Sequence, residues 1–220
     1  MPAVLDLFTE LAAIPSPPGE EREVADAVAS YLRDCDLDVE EDDAGERIDA
    51  NAGNLYARVE PTAPGTPIFL CAHLDTVRPA GRIEPVVDDD GLVRNAAGTI
   101  LGADDKSAVA VMLEATRRVL AERRPQAGIE LLFTPKEEVG LCGAAAFDAA
   151  RLTARHGFVY DQAAPIGDVI LGAPYAQVLA VTFHGRAAHA GMHPEEGRNA
   201  IAAAATAGPR KTAGPRCRAA

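Results

Sequence analysis

Tryptophan is absent from this 220-residue chain and aromatics make up only 5% of it, so any core must be built from aliphatic side chains. The hydrophobic fraction, 48%, is ample for one, with alanine supplying much of the count. No apolar run approaches the roughly 20 residues that a membrane helix needs, and the N-terminus lacks the basic-then-apolar pattern of a signal peptide. A membrane partner is therefore not expected. The 4 cysteines (Cys35, Cys71, Cys142 and Cys217) are scattered and form no C-x-x-C pair. That gives no thiolate zinc site and suits a reducing, cytoplasmic setting better than a disulfide framework. Basic residues are outnumbered 21 to 33 by acids, giving a net charge of −12. Such a surface would be repelled by a phosphate backbone, so nucleic acid is not an expected partner either.

What is present is an alternation of helical and strand patterns. Val4, Leu7, Phe8 and Leu11 recur at helical spacing, and Ile14-Pro15-Ser16-Pro17-Pro18-Gly19 ends that helix. A second helix is predicted from about Glu20, with Val24, Ala27, Val28, Tyr31 and Leu32 as its apolar stripe. Residues 34 to 49 are dense in acid and read as a solvated strand-and-turn region. Residues 54 to 59 read as a strand, and Ile68-Phe69-Leu70 opens a buried one that closes on Cys71-Ala72-His73-Leu74-Asp75. A polar loop follows, with a turn at Asp88-Asp89-Asp90-Gly91. Beyond it come a helix after Asp104, a buried strand over 128 to 134, a short alanine-rich helix, a strand over 157 to 160, and a further short strand over 169 to 171. Helices alternating with buried apolar strands predict an α/β fold with a mostly parallel sheet flanked by helices. The pattern changes at about residue 174, where a domain boundary is expected. Residues 176 to 183 read as a half-exposed strand, and a helix begins near Asn199.

His73, Asp104, the pair Glu137-Glu138, and Asp161 all fall just past predicted strand ends or at a helix start. In an open α/β sheet that edge is where ligands bind. Singly each is weak, since an acid pair on a loop is usually just solvated and an aspartate at a helix start is usually only a cap. Together they make a hard, oxygen-rich donor set suited to Zn²⁺, Mn²⁺ or Co²⁺. Asp104 is placed to bridge two ions. Of the two glutamates, one can bind metal while the other carries a proton between an activated water and a leaving amine. Asp75, two residues from His73, can take the proton of one ring nitrogen and leave the other for metal.

The motifs His73-Leu74-Asp75-Thr76-Val77, Gly102-Ala103-Asp104-Asp105-Lys106, Thr134-Pro135-Lys136-Glu137-Glu138-Val139-Gly140 and Tyr160-Asp161 resemble those of the co-catalytic zinc metallohydrolases. That family includes peptidase T, carboxypeptidase G, the aminoacylases and acetylornithine deacetylase. The wording around Glu137 and His189 is most similar to peptidase T-type aminopeptidases. The resemblance covers residues 1 to about 205. It implies that His73 and Asp161 hold one metal, that Asp104 bridges both, and that Glu138 binds the second. It also implies that Glu137 is general base and acid and that Asp75 orients His73. The Asp104-Asp105 peptide resembles one that is cis in the family. Gly185-Arg186-Ala187-Ala188-His189-Ala190-Gly191 resembles the start of the family's lid, whose histidine, here His189, reaches the partner's site in a homodimer and stabilises the oxyanion. The implied reaction is hydrolysis of a peptide or amide bond in a small peptide by metal-activated water, with two zinc ions per subunit.

On this reading residues 1–174 are the N-terminal part of the catalytic domain and 175–205 begin the lid and dimerisation domain. Residues 206–220, basic and without periodicity, are an atypical tail that reads as a truncation or a shifted reading frame. The family's fifth ligand, a histidine well after the lid, has no counterpart, because no histidine lies beyond His193. The second ion is then expected to bind weakly, impairing activity and dimerisation. A non-catalytic metal-binding fragment and a deacylase of N-acyl amino acids stand as alternatives.

Overall fold

The computed structural model describes residues 3–79, 81–162, 165–172 and 180–207. The chain divides into two compact units, Met1–Ala164 and Pro165–Ala220. The boundary drawn from sequence at about 174 lies outside the described residues, as do residues 208–220 of the tail.

In the first unit the order is α1 (Ala3–Ala13), α2 (Arg22–Asp34), β1 (Val39–Glu41), α3 (Ala44–Ile48), β2 (Leu55–Val59), β3 (Ile68–His73), β4 (Pro85–Val87) and β5 (Val93–Asn95). Then come α4 (Ala103–Ala121), β6 (Ile129–Thr134), α5 (Cys142–Ala146) and β7 (His156–Val159). The main sheet runs β1-β2-β6-β3-β7. Its half made of β6, β3 and β7 is parallel, and its β1-β2-β6 half is antiparallel. The fold is thus α/β as expected, with parallel pairing where the candidate site residues lie.

Alternation along the strands sorts the two faces. Leu55, Ala57, Leu70, Ala72, Leu131 and Phe133 join one aliphatic core with Leu7, Phe8 and Leu11 of α1, Val24, Val28 and Leu32 of α2, and Val109, Met112 and Leu113 of α4. On the other face Glu130 is buried and fully bonded. It accepts from the Tyr56 hydroxyl at 2.8 Å, the Arg58 guanidinium at 2.8 Å and the backbone N–H of Ala154 at 2.8 Å. The acidic stretch after α2 holds a short edge strand and one helical turn, as a strand-and-turn reading expects, and Asp42 explains why. Its carboxylate accepts from the N–H groups of Ala44 and Asn54, tying the turn to the entry of β2.

Two expectations are corrected. The polar loop after β3 contains the hairpin β4–β5, closed around the Asp88–Gly91 turn by Gly91 N donating to Asp88 O at 2.9 Å. The short strand expected over 169–171 does not form. Val169, Ile170 and Leu171 are 73%, 59% and 94% exposed, and they pair with no strand among the described residues. A three-residue apolar run without a ladder partner has nothing to hold it extended.

In the second unit, Arg186 and Arg198 exchange backbone hydrogen bonds at 3.0 and 2.9 Å as an isolated antiparallel bridge, and α6 spans Ala200–Ala207. Of the strand expected over 176–183, residues 176–179 lie outside the described residues and 180–183 are not strand. Among the described residues no helix is long and apolar enough to cross a membrane.

Candidate metal centre

Parallel pairing brings the ends of β3, β6 and β7 to one edge, since His73 pairs with Thr134 and Cys71 with Val159. The loops leaving β6 and β7 carry Glu137-Glu138 and Asp161, and α4, the crossover from β3 towards β6, delivers Asp104 at its first turn. Asp104 and Asp105 depart from helical geometry there, and the peptide between them is cis.

These residues meet. His73, Asp104 and Glu138 offer ligand atoms within 4.8 Å of one another, and so do His73, Glu137 and Asp161. His73 is buried, and its Nδ1 donates to the backbone carbonyl of Asp75 at 2.8 Å. A carbonyl can only accept, so Nδ1 carries a proton, and Nε2 is the ring nitrogen that faces the acids and is open to a metal. Nε2 lies 3.1 Å from Asp104 Oδ1 and 3.9 Å from Glu137 Oε2. Either a proton on Nε2 or a metal ion seated between these groups would satisfy the facing carboxylates. Burial and the charges of neighbouring acids push the carboxyls of Glu137, Glu138 and Asp161 above their usual range. The donor set therefore fits a divalent metal.

Asp75 does more than its spacing from His73 implies. Its carboxylate stands 3.4 Å from Nδ1, farther than its own backbone oxygen. Its two oxygens accept from the N–H groups of Glu137 at 2.8 Å and Glu138 at 3.1 Å. One buried acid thus fixes both the imidazole and the glutamate loop. A cleft of about 420 Å³ opens beside Asp104, Asp105, Ser107, Tyr160 and Asp161. A larger one, about 820 Å³, lies between β2 and the end of α4 and touches none of these residues.

His189 belongs to the second unit, where its Nδ1 accepts from the N–H groups of Gly191 and Met192, each at 3.2 Å. Three buried charged residues lie near the candidate metal ligands; Asp105 and Lys106 belong to the motif that begins at Gly102, whereas no role was read for Glu21 from the sequence. Asp105 accepts from the His73 N–H at 3.2 Å, Lys106 donates to the Ile14 carbonyl, and Glu21 accepts from the N–H groups of Gly19 and Lys136. Burial pushes the Asp105 carboxyl up and the Lys106 ammonium down. The one available signal was the doubled aspartate followed by lysine at a helix start.

Residues 54–168 match the profile of peptidase family M28. A tripeptidase from Staphylococcus aureus has the same fold with a TM-score of 0.81 at 34% identity, covering 93% of this chain and 55% of that one. For aminopeptidase PepT from Bacillus cereus the TM-score is 0.76 at 32% identity, with 94% and 56% covered. YqjE, an uncharacterized protein of Bacillus subtilis, is 36% identical over 204 residues, which are 93% of this chain and 55% of the relative. The chain thus spans about half the length of these relatives. The matched stretch runs from the start of β2 past β7 and carries His73, Asp75, Asp104, Glu137, Glu138 and Asp161, and the chain belongs to peptidase family M28.

Proposed function

We propose that this chain carries the metal-binding catalytic part of a peptidase that hydrolyses an amide bond in a small peptide, in the manner of peptidase T-type aminopeptidases. The observation that carries this reading is the imidazole nitrogen of His73 facing a ring of carboxylates, with Asp75 bonded behind them. His73, Asp104, Glu138 and Asp161 would hold two divalent ions, with zinc as the first choice and manganese or cobalt compatible with the same donors. Bound there, such ions polarise a carbonyl and make water nucleophilic near neutral pH.

The chain's own residues supply the rest. Glu137 Oε2 sits 3.9 Å from His73 Nε2 on a half-buried side chain, where it takes the proton of the attacking water and returns it to the departing amine. Asp75 keeps the Glu137 backbone fixed while that proton moves. His189, on residues 175–205 read as the start of a lid and dimerisation domain, would donate to the oxyanion across a homodimer. Residues 1–174 would form the catalytic part, working in the cytoplasm.

A second reading, metal binding without turnover, is favoured by the openness of the site, since the Asp104 side chain is 69% exposed. One experiment separates the two. Zinc binding is measured by calorimetry, and hydrolysis of an unblocked tripeptide is compared with that of an N-acetyl amino acid. Tripeptide cleavage that falls on the order of 10²- to 10⁴-fold in Glu137→Gln, with zinc affinity retained, supports the peptidase. Cleavage of the N-acetyl amino acid alone makes the chain a deacylase. Zinc bound without hydrolysis of either leaves the second reading, and no zinc bound removes both.

A further inference from the structure

The segment between α1 and α2 touches the loop after His73, the start of α4 and the glutamate loop. Ser16 Oγ donates to the Leu74 carbonyl at 2.8 Å, and Thr76 N–H donates to the Ser16 carbonyl at 2.9 Å, so the segment laces onto the loop after His73. Lys106, fully buried, donates to the Ile14 carbonyl and ties the segment to the start of α4. Glu21, also fully buried, accepts at Oε1 from Gly19 N–H at 2.7 Å and from Lys136 N–H at 3.1 Å. Its other oxygen has no hydrogen-bond partner among the described residues.

Lys136 is the residue on which the glutamate loop turns. Its φ of +54° lies in the left-handed region, which a side-chain-bearing residue keeps only where its surroundings hold it there. It is held at both ends: its ammonium donates to the Ile48 carbonyl at 2.7 Å, and its amide donates to Glu21. The next two amides, of Glu137 and Glu138, go to Asp75. Three consecutive N–H groups are therefore gripped by two buried carboxylates from distant parts of the chain. The grip on the first of them sets the direction in which the other two side chains leave.

We infer that Glu21 is a positioning residue for the proposed hydrolysis: by accepting the Lys136 N–H it fixes the turn that aims Glu137 at the reacting atoms and Glu138 at the metal. The role rests on the peptidase reading but belongs to the oxygen's reach rather than to its charge, and that distinction is testable. Glu21→Gln keeps an accepting oxygen at the same reach and loses the charge. Glu21→Asp keeps the charge and withdraws the oxygen by one carbon–carbon bond, in a residue well suited to the helix N-cap it occupies. Glu21→Ala removes both.

Three readouts on the full chain test it: kcat and KM for an unblocked tripeptide, Zn²⁺ affinity by calorimetry, and amide hydrogen exchange at Lys136, Glu137 and Glu138 without added metal. The expected order of kcat is wild type and Gln together, then Asp about tenfold lower, then Ala lower still, with KM little changed. Zinc affinity falls in the same order, and exchange at 136–138 speeds up in Asp and Ala but not in Gln. If Asp outperforms Gln, the role is electrostatic and the inference is overturned. It is equally overturned if exchange at 136–138 is the same in Asp as in wild type. If Ala does not fold, the Gln–Asp pair decides alone. Should wild type cleave nothing while exchange still follows the expected order, the peptidase reading fails and the positioning of the loop stands.

Discussion

At the scale of single residues, burial marks the charges that hold the fold rather than the acids of the candidate site, of which Asp104 has a side chain 69% exposed. Glu130 lies on a central strand and is 1% exposed, yet it is ionised, its carboxyl held at about 2. Burial works against the charge there, but backbone N–H groups of Ala154 and Thr153, the Tyr56 hydroxyl and the Arg58 guanidinium outweigh it. The folded value is below the ordinary 4.5, so the stabilisation is present above pH 4.5 and drains away as pH falls from there towards 2. About 2 kcal/mol of it is expected to be lost between pH 6 and pH 3. Urea unfolding from pH 6 to pH 3 should show it in wild type and lose most of that slope in Glu130→Gln. Nothing in the sequence marks Glu130, a lone acid in Ile129-Glu130-Leu131-Leu132-Phe133, as a satisfied core group. The burial of Glu21, Asp105 and Lys106 was illegible for the same reason, although the last two sit in a motif the sequence shows: local sequence gives the charge but not the burial. That His73, Asp104, Glu137, Glu138 and Asp161 would meet at one edge could be read because each interrupts or follows an apolar pattern where a strand or helix must begin or end.

Among the elements, the regular ones follow their periodicity closely, and the differences arise where pairing decides. The stripe of α2 and the runs of β3 and β6 were legible because each buries enough apolar surface to fix its own conformation. The hairpin β4–β5 was not, being two three-residue strands held by each other and by the Asn95 side chain, which accepts from Glu84 N–H at 2.8 Å. Residues 169–171 failed in the opposite sense, apolar enough for a strand but with none alongside. One close approach matters to the site. At Gly143, in α5, a Cβ would stand 2.3 Å from the carbonyl oxygen of Pro135, the residue that begins the glutamate loop. Gly143→Ala should therefore push α5 off that loop, lowering stability by about 1–3 kcal/mol in urea melts. It should also reduce zinc affinity, although the substitution touches no ligand.

Over the whole molecule, the β7 side of the sheet stands out. Parallel strands are normally covered on both faces, yet all four residues of β7 are exposed, Phe158 by 48% and Val159 by 63%, and β7 pairs only with β3 among the described residues. An uncovered apolar edge of this kind invites association. Sedimentation velocity across a hundredfold range of concentration should show growth in apparent mass, and Val159→Lys should suppress it while leaving zinc binding intact. Behaviour as a monomer throughout would mean the edge is harmless. The grip of Glu21 on Lys136 has a consequence of another kind. The two residues are 115 positions apart, so during synthesis the carboxylate leaves the ribosome on the order of ten seconds before the amide it must receive. For that interval a helix start with a buried-to-be acid waits without its partner, and the glutamate loop has no fixed shape to offer an ion. Zinc supplied to a ribosome-bound chain should be ignored until the strand carrying Thr134 and the turn at Lys136 have emerged, which makes metal uptake a late event of folding rather than its seed.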